Sequence, residues 1–132
     1  MPKTVVQSVS FNVSPDQLFE LYADSRKHSG AIGSKAQVSR RAGGTFSAFG
    51  GMIKGKTLTV IPKKMFVQTW RGSEWKRGDA DSVLILMFDK KGRGSTLTMV
   101  HANVPDSHHT AIKQGWNKYY WKPWKAYLRR RK

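Results

Sequence analysis

The sequence predicts an α+β fold: a curved antiparallel sheet of six to seven strands wrapped around one long C-terminal α-helix, with two short helices after the first strand. Three observations predict it. From residue 35 to 101, short runs with strand periodicity alternate with turns bearing Gly or Pro, as in consecutive antiparallel strands. Residues 106–132 carry an aromatic stripe at helical spacing. A well-marked helix start directly follows the first run of alternating residues.

The first strand is read in residues 4–11, where Val5, Val9 and Phe11 recur at period two and Val6 breaks the pattern. Ser14 then serves as N-cap, Pro15 suits the first helical position, and Gln17 completes a capping box. The helix carries Leu18, Phe19, Leu21 and Tyr22. Asp24 caps a second short helix, expected to end at Ser29 and Gly30. The strand runs are 37–40, 45–49, 56–61, 65–71, 82–89 and 95–101. In the last of these Leu97 and Met99 oppose Thr96 and Thr98, so one face is wet and the other covered. Residues 83–88 are continuously apolar, which places that strand centrally in the sheet.

In the final helix Ile112, Trp116, Tyr119, Tyr120, Pro123 and Tyr127 fall on one side at about 100° per residue. Lys118, Lys122, Lys125 and Arg129 form a tight stripe opposite them. Each ring buries ~150–250 Å², so a concave sheet must receive the aromatic side. Pro123 removes one helical hydrogen bond and predicts a kink near Tyr119 and Tyr120.

A chain of 132 residues is one domain by length and can hold a true core. It has no cysteine, which excludes disulfides, thiolate metal sites and cysteine nucleophiles. No apolar run approaches the ~18 residues of a transmembrane helix, and the N-terminus has no signal-peptide core. The expectation is a cytoplasmic monomer. Lys and Arg number 24 against eight Asp and Glu, giving +16, a field that attracts polyanions. These charges run along the whole chain. Nucleic-acid binding is therefore expected only as a non-specific, salt-sensitive property, and the tail Arg129-Arg130-Arg131-Lys132 reads as solvated.

Chemistry is thinly supplied, and neither catalytic residues nor cofactors nor metals are expected. Asp106, His108 and His109 lie together, but adjacent histidines point about 100° apart and make a poor metal site. His101 ends an alternating strand and points inward, either as a cavity polar group or as a satisfied core histidine. Asp16, Glu20 and Asp24 share a helix face. Glu20 is either a surface ion-pair partner or a buried base. Gly43-Gly44 and Gly50-Gly51 lie between strands and are turns, not phosphate cradles. Trp70 is read as a core or cavity wall and Arg71 as an outward base, because neighbours on a strand face opposite sides.

The order and spacing of several segments carry a resemblance. They are residues 14–24 (SPDQLFELYAD), Gly43-Gly44-Thr45-Phe46, Gly55, Gln68-Thr69-Trp70-Arg71, Val104-Pro105 and residues 115–123 (GWNKYYWKP). From about Val5 to Leu128 the chain resembles the activator of heat-shock protein 90 ATPase family, C-terminal-domain type, within the START/birch-allergen-like superfamily. The resemblance implies a helix-grip fold, in agreement with the pattern reading. It implies a non-enzymatic co-chaperone-like domain whose partner is heat-shock protein 90. The basic stripe Lys118, Lys122, Lys125 and Arg129, read from the helix pattern, is the expected contact surface. The full activator also carries a separate N-terminal chaperone-binding domain, for which 132 residues leave no room. In the superfamily the space between sheet and helix often holds an apolar ligand. Inward strand phase and the aromatic helix side make Phe46, Trp70, Met99, Trp116 and Tyr120 the candidate lining of such a cavity, for a carrier or sensor of an apolar small molecule.

Overall fold

A computed structural model describes residues 1–130. Strand β1 (Lys3–Phe11) leads into helices α1 (Pro15–Ala23) and α2 (Ser25–Ile32). Strands β2 (Gln37–Val38), β3 (Thr45–Ala48), β4 (Ile53–Ile61), β5 (Met65–Gly72), β6 (Ser82–Lys91) and β7 (Gly94–Val104) follow. A short 3₁₀ turn, Phe49–Gly51, joins β3 to β4. The chain continues through α3 (His109–Trp116), a π-helical turn (Asn117–Trp121) and α4 (Lys122–Arg130). The strands form one antiparallel sheet in the order β1-β7-β6-β5-β4-β3-β2. β1 and β2 thus lie at opposite edges, and α1 and α2 bridge the width of the sheet between them.

The caps form as their residues dictate. The Ser14 hydroxyl accepts from the Gln17 amide (3.1 Å), and Gln17 Oε1 accepts from the Ser14 amide (3.2 Å). The Asp24 carboxylate accepts from the Lys27 amide at 3.0 Å to start α2. That helix runs past Ser29 and Gly30 and stops instead at Gly33, which takes the left-handed conformation (φ 69°) that suits glycine. Gly55 has a different reason. A Cβ there would collide with the Thr69 carbonyl on β5, so only glycine lets β4 approach so closely. β2 is shorter than expected, while β4 and β7 are longer.

The concave face is the core. Phe66, Gln68 and Trp70 of β5, Ser82, Leu84, Leu86 and Phe88 of β6, and Ser95, Leu97, Met99 and His101 of β7 are all buried there. They receive Leu18, Phe19 and Tyr22 from one side and Trp116, Tyr120, Trp121 and Trp124 from the other. The aromatic helix side differs from the sequence expectation. Tyr119 is 49% exposed, while Trp121 and Trp124 are buried. The cause is the π turn, in which the Lys122 amide donates to the Asn117 carbonyl five residues back. Proline has no amide to donate, so Pro123 leaves the Tyr119 carbonyl without its usual partner. The wider turn here, at the site of the expected kink, sets back the helical phase and brings Trp121 and Trp124 onto the sheet.

Candidate functional site: a basic helix face and an aromatic groove

The cation row lies on the solvent side of the long helix. Lys118, Lys122, Lys125 and Arg129 are all exposed, at spacings that keep them on one side. Lys118 Nζ sits 5.3 Å from the centre of the Tyr119 ring, and Lys125 Nζ 5.8 Å from that of Phe11. Among the described residues none of the four makes an ion pair. Four of the eight carboxylates are engaged elsewhere, by Lys3, Arg40, Lys63 and Arg71. Arg130 is exposed as well. Arg131 and Lys132, the end of the expected solvated tail, lie outside the described residues.

A groove opens between α3, the Phe49–Gly51 turn and the end of β5. It comprises two adjoining cavities of about 350 and 190 Å³ that share Phe49, Ile53, Trp70, Ile112 and Tyr119. Trp75, with His108 stacked on it at 6.0 Å, closes one end. Trp116 and Tyr120 close the other. Exposed Met52 and Tyr119 form part of its lining. The Trp70 indole N–H is buried without a hydrogen-bond partner among the described residues. Phe49, with φ 52°, and the following Gly50 and Gly51, with φ 66° and 96°, hold the turn in left-handed backbone at the groove wall.

Of the five residues expected to line a cavity, Trp70, Trp116 and Tyr120 do so. Phe46 and Met99 do not. Phe46 is stacked on Tyr22 (6.2 Å between centres), and Met99 is fully buried on β7. Tyr22 of α1 and His28 of α2 cover the Phe46 ring and close the space beside it. Met52, Phe49, Trp75 and Ile112 supply the remaining apolar wall. The sequence signal for Phe49 is its position before Gly50-Gly51, and for Trp75 its isolation in a polar turn.

Two buried histidines fasten the long helix, His28 to α1 and α2 and His101 to the sheet. His28 Nδ1 lies 2.8 Å from the Tyr22 carbonyl and Nε2 lies 2.8 Å from the Tyr120 hydroxyl. A carbonyl only accepts, so the ring proton is on Nδ1 and Tyr120 donates to Nε2. His101 has the opposite tautomer. The Trp116 indole donates to Nδ1 (3.1 Å), so Nε2–H donates to Ser82 Oγ (2.7 Å), and that hydroxyl donates to the Trp70 carbonyl (2.7 Å). Of its two sequence readings, His101 takes that of a satisfied core histidine. Burial pushes the His28 pKa down to about 4, although the bond to the Tyr22 carbonyl opposes this. Burial alone pushes that of His101 down to about 3. Both rings are therefore neutral near pH 7.

Glu20 is not a buried base. Arg40 grips it with two hydrogen bonds, at 2.8 and 2.6 Å, and that contact holds its carboxyl below the ordinary range. The pair is solvent-accessible. Arg71 leaves the sheet face to donate to the Lys76 and Asp79 carbonyls and to Asp81, bracing the β5–β6 loop that carries Trp75. Asp106 is paired with Lys3 at 3.1 Å. Among the described residues no three His, Asp or Glu side chains come together as a metal site would require.

Residues 12–129 match the family described as activator of Hsp90 ATPase homolog 1-like protein. The chain belongs to this activator family. It is 25% identical over 111 residues to the human activator of 90 kDa heat shock protein ATPase homolog 1, covering 84% of this chain and 32% of the relative. It is 27% identical over 117 residues to the corresponding Dictyostelium discoideum homolog, covering 88% and 30%. The chain thus spans about a third of the length of these curated relatives. Among solved structures, one described as an HSP90 activator from Plasmodium falciparum superposes with a TM-score of 0.87 at 24% identity, covering 95% of each chain. The activator-family fold is therefore the one observed, with the sheet gripping the C-terminal helix. No helix among the described residues is long and apolar enough to cross a membrane.

Proposed function

We propose that this domain is a non-enzymatic co-chaperone module that binds heat-shock protein 90 through Lys118, Lys122, Lys125 and Arg129 and contributes to stimulating its ATPase. The observation that carries the reading is the row of four exposed cations that have no ion-pair partner among the described residues, on the helix that anchors the fold. Side chains already paired would have to give up those partners to meet an acidic surface; these do not. Family membership and the names of the human and Dictyostelium relatives support the choice of partner. Charge at an interface rim acts mainly through association rate and is screened by salt.

The test is titration calorimetry against purified heat-shock protein 90 near physiological salt, with a coupled ATPase assay. Reversing all four charges to Glu should weaken binding about tenfold or more and lower the ATPase stimulation in parallel. Reversing Arg26, Lys35, Lys76 and Arg77 changes net charge equally on other exposed surfaces and should cost far less. Equal loss in both variants would reduce the effect to net charge and remove the helix face as the contact.

A second reading has its own observation: an unpartnered buried Trp70 N–H in the wall of an aromatic groove of about 350 Å³. Ligand sites combine apolar walls with a few placed polar groups in this way. Here the domain carries an apolar small molecule bearing one hydrogen-bond acceptor. Native mass spectrometry of the purified protein should show a retained mass that Ile112→Trp, which fills the groove, expels. A mass retained equally by both proteins would place the ligand elsewhere.

A further inference from the structure

The convex face of the sheet has a composition that the fold leaves unexplained. A strand covered on one side only should alternate between apolar and polar residues, whereas a continuously apolar strand belongs in a sheet covered on both sides. β6 reads Val83-Leu84-Ile85-Leu86-Met87-Phe88. Leu84, Leu86 and Phe88 are buried on the concave face, so Val83, Ile85 and Met87 point the other way. The described helices pack on the concave side, as shown by Phe19 against Phe88, Tyr22 against Gln68, and Trp116 against His101. No helix among the described residues covers the convex side.

Strand register makes this face a patch. One row crosses five strands as Val6, Val100, Ile85, Val67 and Thr59. The next runs Ser8, Thr98, Met87, Met65 and Ile61. At ~4.8 Å per strand the rows are about 19 Å wide, and they lie about 7 Å apart. Val6 is 63% exposed and Ile61 43% exposed at the two ends. Cations border the rows. Lys54 and Lys56 project from β4 on this side, and Lys91 reaches the Ser10 hydroxyl of β1 at 3.4 Å. Asp89 of β6 also points to this side.

We infer that the convex face is a docking surface for a partner protein that presents an acidic amphipathic helix, its apolar side on the Val6–Val100–Ile85–Val67 row and its carboxylates toward Lys54, Lys56 and Lys91. Charge selects this occupant over a second copy of the chain. A two-fold pairing would set the same patch against itself, bringing together two chains of +16 and opposing their bordering lysines. A helix is the element that lies on a sheet face, and about 13 residues of one span 19 Å. This surface lies on the opposite side of the sheet from the cation row of the long helix and is independent of the chaperone reading.

The test uses the whole chain, isotopically labelled, titrated by NMR with a synthetic amphipathic helix of Leu and Glu. Amide shifts should concentrate on the outward positions of β1, β5, β6 and β7. Ile85→Thr with Val100→Thr keeps β-branched residues on the strands and should weaken the affinity about tenfold. Val6→Thr, on the exposed edge strand where folding is least at risk, should weaken it about threefold. A Ser and Glu peptide of equal charge should leave the rows unshifted. Unchanged affinity in these variants, or equal shifts with the Ser and Glu peptide, would overturn the proposal. So would sedimentation equilibrium showing a dimer that Ile85→Thr with Val100→Thr dissociates, since the occupant would then be a second copy.

Discussion

From pH 6.5 toward pH 4 the domain is expected to lose stability at about 2.7 kcal/mol per pH unit, the combined effect of two buried histidines at about 1.4 kcal/mol each. In the unfolded chain both rings titrate at the ordinary value near 6.5. In the folded protein His28 holds off protonation to about 4 and His101 to about 3. Below pH 6.5 the unfolded state therefore binds two protons that the native state refuses, so stability falls as pH falls. Above 6.5 both rings are neutral in either state and the dependence vanishes. Below about 4 native His28 also takes up its proton, and the slope lessens.

Between pH 6.5 and 4.5 the accumulated loss is on the order of 5 kcal/mol, comparable with the whole stability of a small domain. Protonation also has a structural target. A charged His28 cannot accept from Tyr120, and a charged His101 cannot accept from Trp116, so one proton breaks a bond between α2 and the long helix and the other a bond between β7 and the long helix. Urea unfolding at half-unit pH steps reads the slope directly. His101→Asn should remove about half of it at some cost at neutral pH. A flat profile between pH 7 and 5 would mean that the rings are charged or solvated in the folded protein.

Trp124→Ala is expected to remove about 3–5 kcal/mol, near the upper end for a single core truncation. The ring is fully buried and has Phe11, Tyr22, Tyr120 and Trp121 at centre distances of 5.6–6.3 Å. Those neighbours come from β1, α1 and the π turn, so no single element can move in to fill the void. Its buried indole N–H has no partner among the described residues, so truncation removes apolar contact and no hydrogen bond. Tyr119→Ala, on the exposed neighbouring side, should cost about 1 kcal/mol or less. Chemical denaturation of the two variants side by side distinguishes the observed helix phase from an evenly wound one, for which Tyr119 would be the costly position.

Much of the architecture was legible in the sequence because it depends on local chemistry. Ser14, Pro15 and Gln17 make a capping box wherever a helix begins with them, and alternation of Leu97 and Met99 with threonines declares one wet face. The C-terminal aromatic and basic stripes required only helical spacing. The activator family was legible as well, in residues 14–24 and 115–123. The groove was legible only in part. Trp70, Trp116 and Tyr120 follow from strand parity and helix phase, but Met52, Phe49 and Trp75 sit in turns, where no period constrains direction.

By itself, then, the sequence determined the layered α+β arrangement, the position of the caps, the central place of β6 and the exposed cation row. Each is set by residue type and short-range period. Only the tertiary structure decided which aromatic residues face the sheet, where Phe46 and Met99 lie, and which tautomers His28 and His101 adopt. One π turn shifts the phase of every residue after it. A buried ring's proton is set by whichever donor or acceptor the opposite element places against it, here Tyr22 and Tyr120 for one ring and Ser82 and Trp116 for the other. Neither is a property of the neighbours along the chain.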